Sequence, residues 1–371
     1  MAENSVELLK KGVKNPERAI RYVARKLGDR AIDFYGAAHQ TFHRHPDQAE
    51  LIHDFVNAND EFVLVVLDAC RYDKFQSVIG DYLDGEVSAA WSPGSLTPEW
   101  GPKVWDQQYD LTYISSNPII GNFEYAPRNN DFGYETFCAA DHVSEFVDAY
   151  NFGWDEDDRT VRPEVMTDTA LEVAARDSPT RMVVHYLQPH LPFVGENGFS
   201  MIPLEHKTDV DATELTGQER TQYLRETTEI TVREKVEKGV TWQEELEYNI
   251  SVTDNELRGY RPLLEQGLIE KADIERGYVG NLKLALSEVR RLARRLDCPV
   301  VVTSDHGELL GEWDRYEHPP IRHPTLRRVP WFRVDSIETD QMVNNHAPLE
   351  HQEKDIDDES VERRLESLGY V

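Results

Sequence analysis

Three short apolar runs alternate along the chain with longer stretches whose apolar residues recur at helical spacing. The runs are rich in β-branched residues and lie at residues 61–67, 181–187 and 299–304. Helical spacing precedes the second run near residues 166–176 and the third from about residue 277 to 296. Because buried parallel strands read as continuous apolar runs, this alternation predicts an α/β fold.

The flanking and intervening segments differ in composition from this α/β region. Residues 204–275 are charged and rich in Thr and Glu, so we expect a helical insertion over the sheet. We expect residues 336–371 to form an acidic C-terminal extension and residues 1–60 to form an N-terminal helical segment that is basic up to residue 30. The main domain is therefore predicted at residues 61–335.

The chain is strongly acidic, with 69 Asp and Glu against 40 Lys and Arg and a formal net charge of −29. Its cations are 12 Lys and 28 Arg. This acidic, Lys-poor composition resembles that of proteins from salt-loving archaea, and we expect salt to stabilise the fold by screening self-repulsion. General nucleic-acid binding is excluded because a polyanion would be repelled. A small anionic ester remains a candidate ligand through a local cationic pocket.

Targeting and redox signals are weak. Cys70, Cys138 and Cys298 are too few and too scattered for a disulfide framework or a thiolate zinc cluster. No run approaches the roughly 20 apolar residues that span a bilayer, and the first residues lack a secretion-signal core, so we expect a cytoplasmic protein. Residues 1–30 either pack on the domain or contact a membrane surface or a partner, which would place the chain peripherally at the inner membrane face.

Acidic and imidazole side chains stand where two apolar runs end. Asp68 follows the first run, and Asp305 and His306 follow the last. Strand ends hold ligands on a rigid frame, and divalent metals prefer carboxylate and imidazole donors. The sequence therefore predicts a metal site of Asp68, Asp305 and His306, with Gly307 permitting close backbone approach. The alternative for Asp68 is a helix N-cap.

Two motifs resemble a known family. Ser304-Asp-His-Gly-Glu308 and Asp68-Ala-Cys-Arg-Tyr-Asp73 resemble the metal motifs of sulfatases and related phosphoester enzymes of the alkaline phosphatase superfamily. Residues 92–100 lie where that family places its nucleophile, and residues 185–193 resemble its substrate-binding histidine segment. The resemblance covers about residues 62–335, with 195–275 unmatched. It implies a mixed sheet flanked by helices, with the active site at one sheet edge.

Departures from the sulfatase pattern favour the phosphoryl-transferring relatives. Ala69 replaces a second acid, and Trp100 stands where the formylglycine signature has Arg, with Pro98 displaced by one residue. The resemblance thus implies a single zinc or manganese ion, with calcium or magnesium as alternatives. Ser95 is the predicted nucleophile and contributes its hydroxyl to the metal; Thr97 is the reserve, and a purely structural turn is the third interpretation.

Further polar residues are candidates for contact with an anionic substrate. His190 is predicted to hydrogen-bond a phosphate oxygen or to protonate a leaving group, the alternative being a structural loop histidine. His318 and Arg322 follow the second metal motif and are candidates for an anion clamp. Arg71 is expected to pair with Asp73 or another acid of the framework.

These residues favour a metal-dependent hydrolase or transferase acting on a phosphate ester: a monoester, a diester, or a phosphorylated glycan or lipid headgroup. A sulfate-ester hydrolase is the first alternative. The second is a noncatalytic binding protein of the same fold, which the intact set of Asp68, Asp305 and His306 speaks against.

Overall fold

The computed structural model describes residues 16–121, 137–155, 158–177, 179–196, 264 and 269–335, with side chains from residue 28 onward. The predicted C-terminal extension at 336–371 lies outside the described residues. So does the predicted insertion at 204–275, apart from residue 264 and the segment from 269. The first 15 residues of the predicted basic segment are likewise outside them.

The described residues include eight helices and eleven strands, and both sets are numbered in chain order. The helices are α1 (Pro16–Phe42), α2 (Gln48–Ala58), α3 (Tyr72–Val78), α4 (Thr97–Val104), α5 (Ala149–Phe152), α6 (Pro163–Arg176), α7 (Lys271–Ala293) and α8 (Pro324–Arg327). The strands are β1 (Phe62–Leu67), β2 (Gly85–Trp91), β3 (Tyr109–Ser115), β4 (Val143–Asp148), β5 (Trp154–Asp155), β6 (Thr160–Val161), β7 (Arg181–Tyr186), β8 (Val300–Thr303), β9 (Leu309–Leu310), β10 (Tyr316–Glu317) and β11 (Arg328–Val334). Short 3-10 turns span Ile79–Asp81, Ala139–His142 and Glu312–Asp314.

Seven strands form one mixed sheet in the order β2-β11-β8-β1-β7-β3-β4. β1 pairs in parallel with β7 and β8, and β3 pairs in parallel with β7 and β4. β11 runs antiparallel to β8 and β2. The predicted α/β fold with a mixed central sheet flanked by helices is confirmed. The parallel strands carry their C-terminal ends to one edge, where ligand sites of such sheets form.

The central strand is buried on both faces, which explains its unbroken apolar sequence. Alternate residues of β1 point to opposite faces of the sheet. Val63, Val65 and Leu67 join the core formed with α3, α6 and α7, whereas Leu64 and Val66 join the core formed with α2 and α4. Two helical layers thus hold the strand whose end carries Asp68.

Helix α1 packs on the segment that follows the second metal motif. Ile32 of α1 forms an apolar cluster with Leu309, Ile321 and Leu326. Gly36 is required at this contact, since a Cβ there would lie 1.5 Å from the carbonyl oxygen of Arg322. In the described part of the chain, none of the helices has the length and apolar content needed to cross a membrane.

Candidate metal centre and active site

Side chains from two segments that are far apart in the sequence meet at the C-terminal edge of the sheet. Asp68 directly follows β1, and Asp305 and His306 follow β8. One ligand atom from each residue lies within 4.8 Å of the others, and all three side chains are fully buried. Adjacent parallel strands bring these residues together because β1 and β8 end side by side.

The two oxygens of Asp305 have different surroundings. Oδ1 accepts hydrogen bonds from the backbone N–H groups of Ala69, at 3.0 Å, and His306, at 2.8 Å. Ala69 reaches this position in the left-handed conformation, with φ 58°, and Tyr278 Oη donates to its carbonyl oxygen at 2.7 Å. Backbone groups therefore hold one oxygen of Asp305 while Oδ2 faces His306 and Thr97.

His306 presents an unprotonated nitrogen to the carboxylates. Burial lowers its pKa well below the usual range, and the charge of His318 adds to this effect. Its Nδ1 lies 2.9 Å from the carbonyl oxygen of Gly307, which can only accept, so the single proton of the neutral ring belongs on Nδ1. Nε2 then directs a lone pair toward Asp305 Oδ2, 3.3 Å away, and Asp68 Oδ1, 3.6 Å away.

This donor set fits a divalent cation. A lone pair facing two buried carboxylates is repulsive unless a cation lies between them. Ligand atoms around tetrahedral zinc, at about 2.0–2.2 Å from the ion, are separated by roughly 3.3–3.6 Å, which the two distances from His306 Nε2 match. The Nδ1 contact with Gly307 would fix the ring in the tautomer that a metal ligand needs. Asp68, Asp305 and His306 could therefore hold the ion; two carboxylates and one imidazole suit zinc or manganese.

The hydroxyl next to this triad belongs to Thr97, which the sequence offered as the reserve nucleophile after Ser95. Thr97 Oγ1 donates to Asp305 Oδ2 at 2.7 Å and lies 3.3 Å from His306 Nε2. Thr97 is the first residue of α4 and is followed by Pro98, whose ring favours the first helical turn. The positive end of the helix dipole therefore lies beside the hydroxyl, where it would favour a negatively charged oxygen.

Ser95, the first candidate, is buried in a different hydrogen-bond network. Its Oγ accepts a hydrogen bond from Arg327 Nε at 2.9 Å, and its backbone N–H donates to Glu99 Oε2 at 2.8 Å. The same Glu99 oxygen accepts from Arg327 at 3.1 Å. The Arg327–Glu99 pair thus holds the turn that precedes α4 and engages the Ser95 hydroxyl.

The sequence analysis did not identify Asn117 as a site residue. Its side-chain nitrogen donates to Asp68 Oδ2 and lies 3.4 Å from Thr97 Oγ1, and its Oδ1 accepts from the backbone of Ile119 at 2.7 Å. Asn117 follows β3, so it reaches the same sheet edge as the triad. The available signal was the polar run of Ser115, Ser116 and Asn117 where β3 ends.

His190 lies in the loop after β7 and is fully enclosed. Its backbone N–H donates to the carbonyl oxygen of Asp68 at 3.2 Å, and burial lowers its pKa well below the usual range. Asn281 of α7 holds this loop: its Nδ2 donates to the carbonyl oxygens of His190 and Pro192, each at 2.9 Å. Asn281 is a second positioning residue that a helical pattern alone could not distinguish from the polar face of α7.

His318 closes the site on the side of His190. Its ring centroid lies 4.7 Å from that of His306 and 5.0 Å from that of His190. Its Nδ1 is 3.2 Å from Glu308 Oε2. Although burial disfavours the charged ring, the hydrogen bond and the charge of Glu308 raise the pKa of His318. Two of the predicted substrate-contacting histidines therefore stand next to the triad.

Arg322, the third predicted substrate contact, lies elsewhere. It is exposed, and its backbone N–H donates to Asp33 of α1 at 2.7 Å. Its place in the anion clamp is therefore not supported, because the loop that carries it turns toward α1. The predicted pairing of Arg71 with Asp73 is confirmed by two hydrogen bonds of 2.9 Å, and Arg71 also donates to Glu312 at 2.7 Å.

Comparison with known proteins finds enzyme structures at low similarity. No protein-family model and no curated protein matches the sequence. The soluble domain of lipooligosaccharide phosphoethanolamine transferase A from Neisseria meningitidis is 15% identical over 73% of this chain and 75% of that chain, with a TM-score of 0.41. The C-terminal periplasmic domain of EcEptC from Escherichia coli, in complex with Zn, is 12% identical over 76% and 74%, with a TM-score of 0.35. Phosphonate monoester hydrolase of Agrobacterium radiobacter is 10% identical over 74% and 67%, with a TM-score of 0.35.

Proposed function

We propose that this chain is a metal-dependent hydrolase or transferase that acts on a phosphate ester with Thr97 as nucleophile. The observation that carries the proposal is the position of Thr97 Oγ1, 2.7 Å from Asp305 Oδ2 and 3.3 Å from His306 Nε2. Nucleophilic cleavage of an ester requires a hydroxyl held beside groups that favour its deprotonated form. Asp68, Asp305 and His306 provide that surrounding at the sheet edge.

A divalent cation bound by these three residues would supply positive charge that lowers the pKa of the hydroxyl and neutralises the transferred group. The chain's own residues account for the covalent step. Asp305 Oδ2 accepts the hydrogen bond of Thr97 and so orients its oxygen, and the hydroxyl proton is released to water. The Thr97 oxygen bonds to phosphorus while the bond from phosphorus to the leaving oxygen breaks.

In the first step, His318, which stands beside His306 and whose pKa Glu308 raises, is placed to hydrogen-bond a phosphoryl oxygen and to pass a proton to the leaving oxygen. His190 Nδ1 lies 2.8 Å from the carbonyl oxygen of Leu191, so its neutral ring presents an acceptor nitrogen and is placed to shape the site rather than to give a proton.

The second half of the reaction returns Thr97 to its starting state. Water then attacks the phosphothreonine in a hydrolase, or an acceptor alcohol attacks it in a transferase. The attacking group loses a proton, the phosphorus–Oγ1 bond breaks, and Thr97 regains its proton.

Phosphate esters fit this site better than sulfate esters. Formylglycine is made from Cys or Ser, and the hydroxyl next to the triad belongs to a threonine. Trp100 stands where the sulfatase signature has Arg; it is fully buried and donates from Nε1 to Gln48 at 3.0 Å. No guanidinium can act from that position, so the sulfatase chemistry lacks two of its parts there.

The test compares two hydroxyls that stand two positions apart in the sequence. We would measure metal content and the turnover of nitrophenyl phosphate, bis-nitrophenyl phosphate and nitrophenyl sulfate, with protein purified in high salt. Thr97→Ala should reduce phosphoester turnover by about a thousandfold or more. Thr97→Ser should retain part of it, and Ser95→Ala is the matched control that should leave turnover within a few-fold of the wild type.

Two further readouts separate nucleophile from ligand. Asp305→Ala should lose bound metal, whereas mass spectrometry of acid-quenched wild type should find a phosphoryl group on the peptide that contains Thr97. Activity that survives Thr97→Ala but not Ser95→Ala would contradict the assignment. A wild type that binds no metal and cleaves none of the esters would leave a noncatalytic binding protein.

A further inference from the structure

Exposed aromatic residues of the described part of the chain lie on α1 and in the turn beside it. Within the residues that the structure describes, the large apolar side chains that are exposed are Phe34 at 79%, Tyr35 at 43%, Phe42 at 83% and Trp313 at 55%. Three lie on α1, and Trp313 lies in the turn that packs beside it, with the Tyr35 and Trp313 ring centroids 5.2 Å apart. We call these four residues the aromatic patch.

The helix geometry turns this patch to solvent. At about 100° per residue, Phe34, Tyr35 and Phe42 fall within a sector of roughly 100° of α1. Ile32 and Gly36, on the opposite side, are buried against the domain. The aromatic patch is therefore the outer face of a helix whose inner face is already occupied, so folding of the described chain leaves it uncovered.

Trp313 is held outward by an unfavourable backbone. Its φ of 51° and ψ of 34° place it in the left-handed region, which disfavours any residue with a Cβ. Its ring lies 5.2 Å from that of Tyr35 and 6.0 Å from that of His323 between centroids, yet more than half of the side chain remains exposed. Such a conformation is expected where a side chain serves contact with another surface.

The distribution of charge along the chain indicates which kind of surface the aromatic patch could bind. The chain carries −29 overall, which disfavours the pairing of two copies and repels nucleic acid and anionic bilayers alike, so an anionic surface can be bound only through a local basic segment. Residues 1–30 are the exception, with eight Lys and Arg against four Asp and Glu, and they lead directly into the part of α1 that bears the aromatic patch. Basic residues beside exposed Phe, Tyr and Trp are the combination by which proteins bind the surface of an anionic bilayer.

We propose that the aromatic patch is a docking surface for a lipid bilayer with anionic headgroups, and that the basic residues at 1–30 supply its electrostatic attraction. The patch adjoins the candidate active site through one stretch of chain. The Tyr35 ring lies 6.4 Å from that of His323, and His318 in the same segment lies 4.7 Å from His306. Docking would therefore bring the triad close to the lipid surface. The proposal concerns binding alone and does not depend on the reaction proposed above.

The experiment measures partition of the full chain onto vesicles. Vesicles of phosphatidylcholine alone and of equal parts phosphatidylcholine and phosphatidylglycerol would be separated by flotation at low and high salt. Wild type should bind the anionic vesicles, and less so in high salt. Phe34→Ser combined with Phe42→Ser should lower the partition coefficient by about tenfold or more, since both side chains lose apolar burial in the lipid.

Controls keep the result interpretable. Ala37→Ser changes an exposed, non-aromatic position of α1 and should bind as the wild type does. Both Phe residues are largely exposed, so the double variant should melt at the wild-type temperature. Asp305→Ala should still bind vesicles, which separates docking from turnover. Lipids brominated on the acyl chains should quench tryptophan emission in the wild type and less in Trp313→Phe.

Three results would overturn the proposal. The wild type could fail to float with anionic vesicles, or the double Phe variant could bind as tightly as the wild type. A wild type that sediments as a dimer without binding vesicles, and becomes monomeric when both Phe residues are changed, would assign the patch to a second copy of this chain.

Discussion

The amide of Asn117 donates a hydrogen bond to Asp68 Oδ2, and its removal should weaken metal binding without dismantling the sheet. The change is Asn117→Ala. A hydrogen bond to a charged group contributes about 1.5–3 kcal/mol. At about 1.4 kcal/mol per factor of ten, this corresponds to a loss of roughly 10- to 150-fold in metal affinity. The range agrees with the effect of removing groups that orient metal ligands, about 10- to 100-fold.

The assay is a competition titration of zinc and of manganese against a chelator of known affinity, for wild type and variant. Ser116→Ala is the matched control, since Ser116 is equally buried in the same turn but its Oγ donates to the carbonyl oxygen of His185 at 3.0 Å. It should bind metal as the wild type does. Thermal melting of the metal-free proteins would show whether either change destabilises the fold.

Equal metal affinity in Asn117→Ala and wild type would refute the reasoning, because the hydrogen bond to Asp68 would then have no effect on the ligand. An equal loss in both variants would also refute it, since the effect would come from the turn as a whole. Only a loss specific to Asn117 supports its role in positioning Asp68.

Three other predictions concern the stability of the fold and the binding of metal. Arg71→Met should lower the free energy of unfolding by roughly 1–3 kcal/mol, because the variant cannot form the hydrogen bonds to two carboxylates. Although burial opposes the shift, Arg71 lowers the pKa of Asp73 and of Glu312 in the folded protein. The stabilisation is therefore present above the pKa values of these carboxyl groups in the unfolded chain, and it is lost as pH falls through their pKa values in the folded protein. Denaturant melts should show the difference in unfolding free energy between wild type and variant decreasing in acid. Gly307→Ala should abolish metal binding or folding, because its Cβ would lie 2.1 Å from the carbonyl oxygen of Thr325; near-wild-type metal content would contradict this. Finally, the melting temperature should rise with salt concentration, as screening relieves the net charge of −29, and a flat or falling curve would count against self-repulsion.

Strands β1 and β8 show most clearly how much of the fold could be predicted from the sequence. Their unbroken apolar runs predict buried parallel strands, and the structure confirms β1 at Phe62–Leu67 and β8 at Val300–Thr303. The acidic residues that follow the runs could be placed at a sheet edge because strand ends are a local feature. Their meeting within 4.8 Å depends only on which strands are neighbours, which the parallel β1–β8 pairing supplies.

Thr97 and Ser95 show what could not be predicted from the sequence. Both hydroxyls precede or begin the same short helix, and spacing alone cannot say which one faces Asp305. Arg327, which lies 232 residues further along the chain, donates to Ser95 Oγ at 2.9 Å, whereas Thr97 Oγ1 donates to Asp305 at 2.7 Å. A contact over that distance in sequence leaves no local pattern to recognise.

The sequence by itself determined the α/β class, the strands that bear Asp68 and Asp305, and the short motifs at their ends, because these depend on local apolar periodicity and on neighbouring residues. Tertiary structure alone decided that Thr97 joins the triad, that Asn117 orients Asp68, and that α1 packs beside the site with its aromatic patch outward. The physical reason is the same in each case: these side chains are positioned by hydrogen bonds and packing between segments remote in sequence.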